Sequence, residues 1–406
     1  MVHDLTIKSI LCFNAGRDPE RLDLKYKAMR KNAFSFLRGS NHLFCETVPD
    51  SPLLSAMPSV WSCGDLHIEN FGSYKADNRL VYFDISDFDD SALAPCGWDL
   101  LRFLTSVHAA ADSLGFDGDA ASGLCSVFLA AYAGALREGK AHLIERSTAQ
   151  GMVRKLLKEL ERRKRRDFLD SRTSRRGRCR NICTDTGKAL PVTSEQQKKV
   201  AAFLAGFAAR QPNTDFFTLI DVARRIAGTG SLGTERYILL VEGEGSPDRN
   251  YLLDLKLASH SPVASRFAPL QPRWQNEAER IAWVQRQMRA IAPAFLHTVE
   301  LEGGSYILKE LQPSEDKVEL DKWDGKIGRL EDLMRTMGEI TAWDHLRGSG
   351  RKGAAVVEEL IRFGEDNSWP APLAVLAVEC AAQIRRHWEA FCAGYDAGVF
   401  EIRLDQ

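Results

Sequence analysis

The stretch "AGTGSLGTERYILLV", residues 227–241, decides the fold. Gly228, Gly230 and Gly233 form a G-x-G-x-x-G pattern. Alone the pattern is weak, and a plain turn explains three glycines equally well. A dinucleotide-binding fingerprint has to open a helix, so that a pyrophosphate rests on the helix N-terminus. Here the loop runs into Tyr237–Val241, an aromatic and apolar run with β-strand character. The unit therefore reads as strand–glycine loop–strand. Gly228, Gly230, Ser231 and Gly233 become candidate phosphate-covering positions on a flap.

Such a flap resembles the glycine-rich loop that protein kinases fold over ATP phosphates. That resemblance implies a lysine on the following strand, and "YLLDLKLA" (251–258) supplies Lys256. Strand alternation puts Asp254 and Lys256 on one face and Leu253, Leu255 and Leu257 on the other. An ammonium in so apolar a strand needs a partner, and phosphate oxygens would serve. The alternative is a lysine snorkelling at a strand edge. The resemblance also implies a helical glutamate paired with the lysine. Glu277 and Glu279 begin the next predicted helix; their alternative role is as solvated first-turn acids that favour the helix dipole.

Outward from the flap, "WSCGDLHIENFG" (61–72) places Asp65 five residues before Asn70, and "FDISDFDD" (83–90) follows. Asp and Asn are common in turns because both cap local backbone. In a kinase-type reading, Asp65 orients the attacking hydroxyl and takes its proton, and Asn70 gives an oxygen to magnesium. Asp87 supplies a second metal carboxylate, with Asp84, Asp89 and Asp90 as alternatives. Such hard oxygen donors suit Mg²⁺ better than zinc.

"GDLHIENFG", "DFDD" and the later Trp98-Asp99 resemble the kinase-like small-molecule phosphotransferases, such as the aminoglycoside and choline kinases. That resemblance puts His67 in the catalytic loop beside Asp65 and makes Asp99 a brace behind it. Cys63 stands where those enzymes usually carry His. Longer blocks, "KYKAMRKNAFSFLRGS", "DFDDSALAPCGWDLLRFLTS", "RIAGTGSLGTERY" and "CAAQIRRHWEAF", resemble domain-of-unknown-function family 2252, a bacterial group. Trp283 stands where that family's helix usually carries Glu.

In an ordinary kinase the flap and its lysine precede the catalytic Asp. Here Asp65 comes first. The expectation is an α+β, two-lobed, protein-kinase-like fold that is circularly permuted, a rearrangement tolerated when the old termini lie close together at the surface. Residues 1–213 supply most of a helical large lobe, 214–313 a small β-rich nucleotide lobe, and 314–406 helices that complete the large lobe. "KELQP" (309–313) is the expected hinge, with Glu310 and Leu311 touching the base of ATP. Arg38 near a helix end either touches phosphate or pairs with a carboxylate.

The chain has 406 residues, enough for two or three units and a large core. Net charge is −1, so neither nucleic acid nor a membrane surface is favoured by overall electrostatics. Nine cysteines without a C-x-x-C pair read as free thiols in a reducing, cytoplasmic setting. No signal peptide or membrane span is expected. Residues 18–48 read as a helical region that Gly39 ends, and Gly303-Gly304 as a hairpin tip. Arg162–Arg180 reads as a mobile basic loop or solvated face, or as a surface that attracts an anionic acceptor; with Phe168 its only aromatic, it serves nucleic acid poorly. A linker is expected near 181–194. The expected function is ATP- and Mg²⁺-dependent phosphoryl transfer to a small-molecule or anionic acceptor. The alternatives are a pseudokinase-like nucleotide-binding module and transfer of AMP. Oligomeric state is not legible.

Overall fold

The structure is a computed structural model that describes residues 2–312 and 316–401; Pro313, at the end of the expected hinge, lies outside the described residues. Helices α1 (Val2–Asn14), α2 (Pro19–Met29), α3 (Ala33–Gly39), α4 (Asn41–Thr47) and the single turn α5 (Pro52–Ser55) come first. Strands β1 (Ser59–Ser62), β2 (Phe71–Lys75), β3 (Val81–Ile85) and β4 (Ala92–Pro95) follow, then helices α6 (Gly97–Leu114) and α7 (Gly118–Glu138). Next are β5 (Ile144–Glu145), α8 (Gly151–Glu161), α9 (Arg165–Asp170), β6 (Thr173–Arg176), β7 (Cys179–Ile182), β8 (Ala189–Leu190) and α10 (Ser194–Ala208). The chain continues through β9 (Leu219–Arg225), β10 (Arg236–Val241), β11 (Tyr251–Leu257), α11 (Pro262–Arg266), α12 (Glu277–Met288), β12 (His297–Leu301) and β13 (Gly304–Leu311). Helices α13 (Ile327–Gly348), α14 (Val357–Glu365) and α15 (Pro370–Asp396) come last. The architecture is mixed α+β.

Local signals explain most boundaries. The helical region at 18–48 divides into α2, α3 and α4, because Asp18 and Asn32 each cap a fresh helix by accepting from Arg21 N and Ser35 N. Helices α6 and α7 end at left-handed Gly115 and Gly139. Helix α7 is, by length and composition, long and apolar enough to cross a membrane. Its apolar side, Leu124, Phe128, Tyr132 and Leu136, is buried in the same core as Leu333, Met337 and Ile340 of α13. Helices from both ends of the chain thus share one core.

Six antiparallel strands form the main sheet, in the order β12-β13-β11-β10-β9-β8. One face carries Val222, Tyr237, Leu239, Leu253, Leu255 and Leu308, and Val200, Leu204 and Phe207 of α10 cover it. The other face changes along its length. At one end Ala223, Ile238, Leu240, Leu252 and Leu311 pack under Phe168, Leu169 and Ile182. At the other end Arg236, Asp254, Lys256 and Lys309 line a cleft.

That packing corrects the expectation for 162–180. The segment is ordered as α9 and the β6–β7 hairpin, because three apolar side chains are buried, each contributing about 1.5–3 kcal/mol. Part of its charge is also paired. Arg180, 1% exposed, donates to Asp170 and Asp248 at 2.7 and 2.9 Å. The expected linker at 181–194 instead contains β8, paired to β9. The sheet with its covering helix therefore draws in residues before the boundary expected at 214. The β12–β13 tip is Glu302-Gly303, both with positive φ, rather than Gly303-Gly304: Gly304 already pairs with Leu301.

Candidate functional site

The loop between β1 and β2 is fixed from behind. Asp99, fully buried in the first turn of α6, accepts from Ser62 Oγ at 2.6 Å, Cys63 N at 3.0 Å and Gly64 N at 3.2 Å. Its other side meets His345 Nε2 at 3.4 Å, and His345 in turn meets the Tyr132 hydroxyl at 2.9 Å. Gly64 has φ +82°, and a Cβ there would lie 1.9 Å from the Asp90 carbonyl oxygen. Only glycine fits this turn. The turn delivers Asp65, whose Oδ1 accepts from Arg102 Nε at 2.9 Å and Nη2 at 2.7 Å. Burial raises the Asp65 pKa above the usual carboxylate range, and Arg102 opposes that rise. Its side chain stays 22% exposed, open to the cleft.

His67 also lines the cleft, but its Nδ1 accepts from Glu69 N at 3.1 Å. Burial, with Arg38 and Lys317 nearby, holds its pKa well below the usual value, so the ring is neutral. It shapes the loop that presents Asp65. Asn70 ties this loop to the acidic turn. Its Nδ2 donates to the Asp65 carbonyl at 3.0 Å, and its Oδ1 accepts from Ser86 Oγ at 2.9 Å and Asp87 N at 3.0 Å.

The acidic residues then divide by surroundings. Asp84 is buried and hydrogen-bonds to Asp344, away from the cleft lining. Asp87 and Asp89 face Lys256: its Nζ lies 3.7 Å from Asp87 Oδ2 and contacts Asp89 directly. Burial raises the Asp87 pKa, but Lys256, Arg236 and Lys309 outweigh it and hold the group well below its usual value. Asp89 is raised, by burial and then by Asp87's charge. Asp90 accepts from Asn41 Nδ2 at 2.7 Å, and burial beside Asp65 pushes its pKa up to about 6.

On the sheet side, Arg236 sits opposite Lys256 in register and grips Asp254 with Nε and Nη2 at 2.8 and 2.5 Å. Arg225 pairs with the same carboxylate at 2.5 Å. The glycine loop closes over this end, with Gly228, Gly230 and Ser231 lining the cleft. Its back is held by the N-terminal helices. Arg17 donates to Gly230 O at 3.0 Å and Leu232 O at 3.2 Å. Lys25 donates to Gly230 O at 3.0 Å, and Asp18 N to Gly233 O at 2.9 Å. A Cβ on Gly233, at φ +86°, would lie 2.9 Å from Arg17 Cβ. Arg38 lines the cleft and pairs with Glu69, the carboxylate alternative for its role. The whole cleft encloses about 400 Å³.

Five expected site residues lie elsewhere; one is Gly233, which packs against Arg17 and Asp18 and does not line the cleft. Glu277 pairs with Arg280 and His260, and Glu279 accepts from Gln275 N, so neither reaches Lys256. Both sit in the first turn of α12, where local partners satisfy them. Ile281 and Gln285 are the residues of that helix that face the cleft. Glu310 pairs with Arg165 at 3.1 Å, and Leu311 is packed under α9 and the hairpin; neither lines the cleft. Their neighbour Lys309 does. The sequence reading also passed over Arg17, Lys25, Asn41, Arg102 and Lys317. Burial, with Arg38 nearby, brings the Lys317 pKa down to about 8.

The donor set at Asp87, Asp89 and Asn70 is all oxygen. Among the described residues no three His, Cys, Asp or Glu side chains gather around one point. Asn70 Oδ1 already has two donors. These residues fit a hydrated Mg²⁺ that arrives with phosphate, since that ion commonly takes one or two protein carboxylates and keeps water. They do not form a closed protein cage for a metal.

No curated protein and no solved structure matches the chain. A family described as "Uncharacterized protein conserved in bacteria (DUF2252)" matches residues 17–394, from Arg17 through both loops, the sheet and the last helix. Matched over that span, the chain belongs to the DUF2252 family.

Proposed function

We propose that the chain is an ATP- and Mg²⁺-dependent phosphotransferase with a kinase-like, circularly permuted, two-lobed plan, acting on a hydroxyl of a small molecule. One observation carries the reading. Lys256 from the sheet meets Asp87 and Asp89 from the acidic turn across a cleft into which Asp65 also opens. These segments are far apart in the chain, and phosphoryl transfer needs this combination of ammonium, metal-binding carboxylates and proton acceptor.

In the proposed reaction Asp65 orients the acceptor hydroxyl and receives its proton as the oxygen–phosphorus bond forms and the bond to the leaving ADP breaks. Arg102 fixes the Asp65 rotamer through two bonds to one oxygen, leaving Oδ2 for the acceptor. Lys256 exchanges its carboxylate partners for phosphate oxygens. Mg²⁺, when bound by Asp87 and Asp89 with Asn70 alongside, neutralises phosphate charge. No covalent enzyme intermediate is required, because positioning and electrostatics supply the catalysis. All nine cysteines are free thiols, which supports a cytoplasmic setting for this chemistry.

The test is Mg²⁺-dependent turnover of ATP by the purified chain across a panel of small alcohols, with nucleotide affinity measured separately. Asp65→Asn should lower turnover roughly 10²- to 10⁴-fold while leaving nucleotide affinity nearly unchanged. Full activity of that variant would sink the assignment. A non-catalytic nucleotide-binding module is the second reading, favoured because, among the described residues, Lys256 pairs with Asp87 and Asp89 and with no glutamate, and because the Asn70 oxygen is engaged. Release of ADP, of AMP with substrate phosphorylation absent, or of neither separates phosphoryl transfer, nucleotidyl transfer and binding alone.

A further inference from the structure

The N-terminal segment brings two cations to the glycine loop, and among the described residues neither is ion-paired with a carboxylate. Lys25 is fully buried, and its Nζ donates only to Asn14 Oδ1 at 2.8 Å and Gly230 O at 3.0 Å. Arg17 lines the cleft, stacks over Phe13 at 4.8 Å, and spends one nitrogen, Nη1, on the carbonyls of Gly230 and Leu232. A guanidinium has donors on three nitrogens. Among the described residues Nε and Nη2 of Arg17 have no hydrogen-bond partner, and no carboxylate pairs with Arg17 or Lys25. Four other cations around the cleft are paired with carboxylates: Arg102 with Asp65, Arg236 with Asp254, Lys256 with Asp89, Arg38 with Glu69.

Lys25 is fully buried and Arg17 half-buried beside it, with Asp90 offsetting their charge only at longer range, so an anion that joins them is favoured. The clamp also arranges the loop's own donors. In a trans peptide the N–H points away from the carbonyl of the same unit. With the Gly230 and Leu232 carbonyls held by Arg17, the N–H groups of Ser231 and Gly233 face away from it. Among the described residues those two N–H groups have no backbone acceptor. The donors an anion would meet on this side are therefore the free Nε and Nη2 of Arg17, which lines the cleft.

We propose that Arg17, backed by Lys25, is a phosphate-binding residue at the tip of the glycine loop. The inference rests on the phosphotransferase reading only for the carrier of that phosphate, which is either the terminal group of the nucleotide or a phosphate on the acceptor. Arg17 contacts the ligand. Lys25 is a positioning residue that holds the Gly230 carbonyl and adds charge from behind.

The experiment measures binding of ATP, ADP and inorganic pyrophosphate to the full chain and to Arg17→Gln, which retains a donor for the loop carbonyls. Losing a charge-assisted bond should weaken binding roughly 10- to 100-fold. Loss for ATP with ADP spared assigns the terminal phosphate of the nucleotide. Loss for pyrophosphate alone assigns an acceptor phosphate, and this outcome supports the inference even where the chain binds no nucleotide. Unchanged binding of all three overturns the inference while leaving the phosphotransferase reading intact. Where Arg17→Gln does not fold, phenylglyoxal modification of the wild-type chain decides. Protection of Arg17 by pyrophosphate or ATP, mapped by mass spectrometry, supports the site, and equal modification with and without them overturns it.

Discussion

Asp90 makes the cleft's electrostatics measurable without any substrate. Its carboxyl is partly buried beside Asp65, and its pKa is pushed up to about 6 from an ordinary 3.8. The folded state therefore binds a proton on Asp90 more tightly than the unfolded chain does. Between about pH 4 and 6 the folded form holds more protons, so this group's contribution to stability falls as pH rises through that window. Above it the ionised carboxylate costs at most about 3 kcal/mol, and partial exposure to the cleft screens this to roughly 1–2 kcal/mol. Asp90→Asn removes the charge and keeps the shape. Asn41 Nδ2, which already donates to this side chain at 2.7 Å, can keep donating to the amide oxygen. The variant should melt above the wild type at pH 8, by a gap that narrows steadily toward zero near pH 4. Thermal melts followed by circular dichroism from pH 4.5 to 8.5 read the gap directly. A gap that is constant with pH, or a variant less stable than wild type at pH 8, refutes the argument.

Asp254→Ala removes the carboxylate that holds the buried Arg236, so the chain should lose about 3–5 kcal/mol of stability, read as a lower urea midpoint. An unchanged midpoint would show that the cluster contributes nothing. Gly64→Ala forces a Cβ into the Asp90 carbonyl at a positive φ, so it should destabilise by more than about 1–3 kcal/mol and disable the Asp65 turn. Wild-type melting of that variant would mean the turn relaxes freely. Lys256→Met should weaken ATP binding roughly 10-fold or more and leave Asp87 and Asp89 unneutralised, raising the variant's relative affinity for Mg²⁺ alone. Isothermal titration with each ligand checks both signs. The basic hairpin should bind duplex DNA no more tightly than a neutral control at physiological salt, because Arg175 and Arg180 are already paired; gel-shift titration over a salt series tests this.

What the sequence revealed and what it hid follow from chain distance. Asp65, Asn70, Asp87 and the glycine loop are short-range patterns, and strand alternation alone put Lys256 on the face that lines the cleft. The partners of those groups come from distant segments. Nothing local to Arg102 or Arg17 says that one will hold Asp65 and the other the Gly230 carbonyl. The basic segment misled for the same reason. Its composition reads as a mobile loop, while its order depends on Asp248 and on apolar residues of β9 and β10. Glu310 was legible and misassigned. It shares parity with Leu308, on the face covered by α10, and its neighbour Lys309 points the other way. The first-turn glutamates of α12 are near Lys256 along the chain, but the cleft face of that helix starts at Ile281.

The grip of Arg17, Asp18 and Lys25 on the glycine turn has a mechanical corollary. A hinged cover swings alone, but this one is bolted to the front of the chain, so lifting it tilts the two leading helices with it. Cys12 lies exposed on the first of those helices, next to the bolt. A dye attached there would report, from outside the pocket, each time a guest seats or leaves. Replacing Arg17 and Lys25 together by Ala would loosen the bolt and damp that signal while the dye site stays in place.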